Sequence, residues 1–204
     1  MNPVRRAAAL VVAACCAWGV SAAAAAVSAG QPAPQFTSTD VSGKPISLAD
    51  FKGKYVVLEW NNPNCPFVMK HYESGNMQSL QKRFGADNVA WIAVNSTSES
   101  HSDYTPPDKL AAWFRQQGAA PTAILMDTKG EIGRAYGAKV TPHMFVIDPK
   151  GTVIYAGAID DKRSANPADV KTATNYVATA LTDARSGKPV ATATSSAYGC
   201  TIKY

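Results

Sequence analysis

The chain has 204 residues, 46% of them hydrophobic and 17% charged, with 13 prolines and 14 glycines spread along it. That length predicts a single domain with a real core, and the composition excludes collagen, coiled coil and wholesale disorder. The formal charge is +5, from 20 basic and 15 acidic residues, but the basic residues are not clustered, so no nucleic-acid partner is expected.

Residues 1–29 read as a secretory signal. Arg5 and Arg6 form a basic start, Ala7 to Val20 is a short apolar stretch, and Ser21 to Ala29 is a small-residue tail. Cleavage is expected between about residues 24 and 29, with Gln31 to Pro34 as a flexible lead. Two other readings stay open: an uncleaved anchor, because Ala7 to Ala29 is long enough to span a bilayer and carries no charge, and lipid attachment at Cys15. A membrane is a partner only under those two readings. The exported reading implies a periplasmic or other extracytoplasmic location.

From Phe36 onward, short apolar runs alternate with amphipathic segments, the order of an α/β layer fold. Tyr55 to Trp60 is a strand, almost continuously apolar and so expected to be central. Residues 66–84 are expected to form one helix, with Met69, Tyr72, Met77, Leu80 and Phe84 near helical spacing and Gly85 as its stop. Val89 to Val94 is a second strand. A polar loop leads to the helix start at Thr105 to Asp108, and that helix ends by Gly118. Asn95 to Thr97 also fits a glycosylation sequon. Ala123 to Met126 is a strand, and Glu131 to Tyr136 a helical turn. Met144 to Asp148 and Val153 to Ala158 read as a hairpin around Pro149-Lys150-Gly151. A last helix is expected from Pro167 to Arg185. The domain should therefore cover 33–185, with an extended C-terminal tail over 186–204.

Four cysteines, Cys15, Cys16, Cys65 and Cys200, invite two disulfides. Their settings differ, however. Cys15 and Cys16 lie in the export segment and leave with it if cleavage falls beyond them. Cys65 follows a central strand, and Pro66 stands where a first helical residue would, which puts the sulfur at a helix N-terminus. Unpaired N–H groups and the positive dipole end favour a thiolate there. Such a site lowers a cysteine pKa from about 8.5 towards neutrality, and the thiolate is the nucleophile. The plainer alternative is an inert packed cysteine.

Two segments carry a resemblance. Strand, Cys65-Pro66 and long helix, followed by Val140-Thr141-Pro142-His143-Met144-Phe145-Val146-Ile147-Asp148, resemble the thioredoxin fold. The closer likeness is to its peroxiredoxin-like branch, grouped with alkyl hydroperoxide reductase and thiol-specific antioxidant proteins. That implies a central mixed β-sheet flanked by helices and a cis peptide bond at Thr141-Pro142. It also implies an antioxidant-type thiol oxidoreductase whose substrate is a peroxide or a disulfide and whose partner is an external thiol reductant. No cofactor is expected. There are departures. Val68 stands where thioredoxins keep a second cysteine, which excludes a local dithiol cycle. In the peroxiredoxin Pro-x-x-x-Thr-x-x-Cys pattern the Pro and Thr positions hold Leu58 and Asn62, and the transition-state arginine is replaced by Pro142.

Glu59 stands at the offset where thioredoxins keep a buried acid, which implies a proton shuttle; the alternative is a solvated strand end. Cys200 is implied to be a resolving cysteine that condenses with oxidised Cys65. A static bridge or a stray tail thiol is the alternative. Trp60, Asn62, Pro66, Phe67, Thr141 and Pro142 are expected to shape the site, Trp60 and Phe67 as walls or simply as core. Lys70 and His71 are expected to face solvent or to lend positive charge. Two competing readings are a copper site built from Cys65, Met69 and His143, suited to Cu(I), and a redox-inactive binding protein.

Overall fold

The computed structural model describes residues 26–204. The expected export segment over 1–29 therefore lies almost wholly outside the described residues, as do Cys15 and Cys16. Seven strands form one mixed sheet: β1 (Thr37–Asp40), β2 (Pro45–Ser47), β3 (Val56–Trp60), β4 (Ala90–Asn95), β5 (Ala123–Met126), β7 (His143–Ile147) and β8 (Val153–Gly157). Their spatial order is β2-β1-β5-β4-β3-β7-β8. The β3, β4 and β5 strands run parallel, and β7 pairs antiparallel with β3. A two-stranded ribbon joins β6 (Val140–Thr141) to β9 (Cys200–Thr201) in the tail.

Every residue of β3 and β4 is buried, as expected of central strands covered on both faces. Alternation along them makes two cores. Val56, Leu58, Trp60, Ile92, Val94, Phe145 and Ile147 face α4 (Glu131–Tyr136). Val57, Trp91, Ala93, Met144 and Val146 face α1 (Pro66–Glu73), α2 (Asn76–Ala86), α3 (Pro107–Gln116) and α5 (Tyr176–Arg185).

The expected helix over 66–84 is two helices. Apolar spacing continues from Tyr72 through Met77 and Leu80, but Gly75 takes φ +73° between α1 and α2. That left-handed conformation suits glycine, and it ends a helix. The expected helix over 167–185 is also divided. Residues Pro167–Thr172 form a 3₁₀ turn, and Asn175 caps α5 by accepting from the Ala178 N–H at 2.9 Å.

The strands β1 and β2 are additional to the sequence expectation. They lie at the sheet edge, and the turn between them is held by Asp40 Oδ1, which accepts from the Ser42 and Lys44 N–H groups at 2.8 and 2.9 Å. Residues 31–34 are not a flexible lead. Gly30 and Ala33 donate to the Val153 and Gly151 carbonyls, both at 2.8 Å, and Val27 and Ala33 are buried in the core on the α4 side. Asn95 of the sequon is buried, its Oδ1 accepting from the Thr97 N–H, so the native fold offers no room for a glycan there.

Candidate active site

Cys65 is the N-cap of α1, with extended backbone and Pro66 as the first helical residue. Its carbonyl accepts from the Val68 and Met69 N–H groups, and its own N–H donates to the Asn62 carbonyl at 3.0 Å. Asn62 holds the preceding turn, its Oδ1 accepting from the Asn64 N–H at 2.8 Å, while its Nδ2 reaches Thr97 Oγ1. The sulfur therefore sits on a fixed turn at the positive end of a helix. Cys65 is 1% exposed, and its Sγ lies 3.1 Å from the Thr141 carbonyl oxygen. The Thr141-Pro142 bond is cis.

Cys65 is disulfide-bonded to Cys200, with Cα atoms 5.9 Å apart. The tail reaches that position by pairing with β6, Cys200 opposite Thr141 and Thr201 opposite Val140. Gly199 makes the approach feasible: its φ is +139°, and a Cβ there would run into the Thr141 carbonyl. Gly199→Ala is therefore expected to unseat the tail and to shift the Cys65–Cys200 equilibrium towards the dithiol by roughly 5- to 100-fold, given about 1–3 kcal/mol of backbone strain. Equilibration with glutathione buffers checks this, and an unchanged equilibrium would count against this seat for the tail.

Glu59 is fully buried on the same sheet face as Cys65. Oε1 accepts from Tyr72 O–H at 2.7 Å and Asn61 Nδ2 at 3.0 Å, and Oε2 accepts from Trp91 Nε1 at 2.7 Å. Burial raises its carboxyl pKa above the ordinary glutamate value, and the three donors offset part of that rise. It is a buried acid and not a solvated strand end.

The other expected site residues divide. Phe67 is half-buried beside the tail, edge-on to Tyr198 at 5.9 Å. Trp60 is no wall of the sulfur site: it points into the α4-side core, against Tyr136 and Phe145, and donates to Ser96 Oγ at 3.0 Å. The grouping of Cys65, Met69 and His143 fails geometrically. His143 stacks on Phe145 with ring centroids 4.6 Å apart, on the face opposite Cys65 and Met144. Cys65 is moreover committed to Cys200. Burial pushes the His143 pKa down to about 4.

Lys70 and His71 do not face solvent; both are buried. Lys70 Nζ lies 3.0 Å from Asp160 Oδ2 and donates to Tyr198 OH at 3.1 Å and to the Lys162 carbonyl at 2.7 Å. His71 Nδ1 meets Asn76 Nδ2 at 2.9 Å, and its Nε2 is 3.9 Å from Asp160 Oδ2. Burial lowers the His71 pKa to about 4, with Asp160 opposing and Lys70 adding to the shift. Sequence reasoning missed this charged cluster, since Lys70 and Asp160 are 90 residues apart. Among the described residues no group of three or more His, Cys, Asp or Glu side chains is placed to hold a metal ion, and no helix is long and apolar enough to cross a membrane.

Residues 29–156 match the model of the AhpC/TSA family. The match takes in Cys65 and Thr141-Pro142 but ends before Asp160 and the tail. The chain is 32% identical over 146 residues to thioredoxin-like protein YneN of Bacillus subtilis, covering 71% of this chain and 81% of that protein. It is 34% identical over 125 residues to thiol-disulfide oxidoreductase ResA of Bacillus thuringiensis subsp. konkukian, covering 61% of this chain and 66% of ResA. Among solved structures, an uncharacterized conserved protein from Geobacillus kaustophilus superposes with TM-score 0.74 at 26% identity, over 86% of this chain and 92% of that one. A hypothetical protein from Sinorhizobium meliloti also reaches 0.74, at 24% identity, over 88% of this chain and 96% of that one. The latter likeness is one of fold.

Proposed function

The chain belongs to the AhpC/TSA family, and from that membership we propose that it is an exported thiol oxidoreductase in which Cys65 and Cys200 cycle between dithiol and disulfide. The observation that carries this reading is the bond between a helix-capping cysteine and a tail cysteine seated beside the Thr141-Pro142 turn. Thiol–disulfide exchange fits the residues best. The Cys65 thiolate, favoured at the helix start, attacks a disulfide R–S–S–R′; one sulfur leaves as R′–S⁻ and a Cys65–S–S–R adduct remains. The Cys200 thiol then loses its proton and attacks Cys65 Sγ, expelling R–S⁻ and closing the ring. The substrate is reduced and the cysteine pair oxidised. An external thiol reverses the pair. Glu59, on the same face as Cys65 and with a raised pKa, is the internal group suited to take up or return the Cys65 proton.

Peroxide reduction is the second reading, favoured by a resolving thiol already in place. Against it, the family's hydroxyl and guanidinium donors are replaced by Asn62, whose Nδ2 is engaged by Thr97, and by Pro142. Stopped-flow mixing of the reduced protein with hydrogen peroxide or with a disulfide separates the two. Disulfide exchange should be the faster reaction, and Cys65→Ser should reduce both to background. Unchanged activity in Cys65→Ser would overturn the proposal.

Export rests on Arg5, Arg6 and the apolar and small residues after them. Cleavage after Ala24 keeps Val27 in the core, whereas cleavage after Ala29 removes it. Amino-terminal mass analysis of the processed protein distinguishes these sites.

A further inference from the structure

The tail that delivers Cys200 is tied down on both sides of the sulfur. Before it, Ser195 Oγ meets Tyr155 OH at 2.6 Å and accepts from the Ala158 N–H at 2.9 Å. After it, the Ile202 N–H donates to the Lys139 carbonyl at 3.0 Å, and Tyr204 O–H donates to the Ala138 carbonyl at 2.7 Å. Between these anchors, two residues ahead of Cys200, Tyr198 enters the buried charged pair. Its hydroxyl accepts from Lys70 Nζ at 3.1 Å and donates to Asp160 Oδ1. Its ring meets Phe67 edge-on, and the Arg163 guanidinium lies 5.9 Å from the ring centre.

A buried ion pair is a poor source of stability, because an apolar replacement of similar volume is often neutral or better. What such a pair can supply is register. Lys70 and Asp160 are 0% and 2% exposed and both need a polar partner. Among the tail residues next to Cys200, Tyr198 alone has a side chain long enough to offer a hydroxyl to both. A slip of one residue would withdraw that hydroxyl from two buried charges and carry Cys200 away from Thr141. The same helix that presents Cys65 at its start thus holds, through Lys70, the segment that presents Cys200.

We infer that Tyr198 is a positioning residue for the Cys65–Cys200 couple: its hydroxyl, seated between Lys70 and Asp160, keeps Cys200 beside Cys65 while the bond between them is open. This rests on the redox reading of the two cysteines. An adduct Cys65–S–S–R is then resolved by the neighbouring Cys200 thiolate, which forms the Cys65–Cys200 bond and releases R–S⁻, its own proton passing to solvent.

Reduced protein mixed with 5,5′-dithiobis(2-nitrobenzoic acid) tests this directly, because one thionitrobenzoate leaves when the first thiol reacts and a second when the ring closes. Tyr198→Phe keeps the aromatic ring and removes only the hydroxyl. It should slow the second release roughly 10- to 100-fold, the range for a hydrogen bond to charged groups, and leave the first unchanged. Asp160→Asn should slow the second release in the same sense, and adding Tyr198→Phe to it should change little further. An unchanged second phase in Tyr198→Phe would overturn the inference. So would equal slowing of both phases with a lower unfolding midpoint, which would mark a merely structural role. A wild-type protein that releases only one thionitrobenzoate would instead refute the Cys65–Cys200 couple itself.

Discussion

Replacing Cys200 with serine is expected to lower the unfolding free energy by up to about 5 kcal/mol. The Cys65–Cys200 bond closes a ring across a sequence separation of 135 residues. A cross-link of that span removes many open conformations from the unfolded chain, and chain entropy sets the figure. Native contacts of the tail at Ser195, Tyr198 and Ile202 remain in the variant, so the loss falls chiefly on the unfolded side of the equilibrium. Urea titration checks this in three samples: oxidised wild type, wild type with dithiothreitol, and Cys200→Ser. The last two should nearly coincide, both several kcal/mol below the first, and dithiothreitol should leave the serine variant unmoved. Coincidence of Cys200→Ser with the oxidised wild type would show that the ring contributes nothing.

The second large effect is on pH dependence and comes from Glu59. Burial raises its pKa in the folded protein, whereas the unfolded chain titrates at the ordinary glutamate value. The native state thus keeps a proton that the unfolded state has lost. The resulting stability is complete below the unfolded value and declines as pH rises through the folded value. The slope reaches about 1.4 kcal/mol per pH unit in that window. Glu59→Gln cannot titrate, so it lacks this slope. It also turns an amide donor towards Trp91 Nε1–H or towards the Tyr72 and Asn61 donors, at a cost of about 1–3 kcal/mol. The variant should therefore be less stable than wild type in acid, with the difference shrinking as pH rises. Asp127, also raised by burial, and His71, held neutral by burial, contribute slopes of opposite sign, but both are present in each protein and cancel in the comparison. Urea midpoints across the acid and neutral range decide the matter, and a difference independent of pH would contradict a raised Glu59.

Much of the site was legible because its signals are local. A β-branched strand, then a loop, then Cys65-Pro66 states where a helix begins, and the backbone agrees. The cis Thr141-Pro142 bond followed from resemblance and not from spacing. The break at Gly75 was hidden because apolar periodicity runs on across it; only the left-handed backbone distinguishes one helix from two. His143 was a misreading that strand alternation corrects, since residues 143 and 145 share one face and Met144 points to the other. Lys70 carried no such signal. Its partners Asp160 and Tyr198 are 90 and 128 residues away, and a lysine on an amphipathic helix ordinarily faces water.

The sequence distance between the two sulfurs also sets an order of events during synthesis. On a chain that emerges N-terminus first, Cys65 is available 135 residues before its partner, and at ordinary elongation rates that interval is on the order of ten seconds. The β3, α1 and α2 segments surrounding Cys65 have by then been made, while the β9 strand that covers its sulfur has not. During that interval the other cysteines already made are Cys15 and Cys16. The Cys65–Cys200 pairing therefore waits until the segment that carries Cys200 has been made.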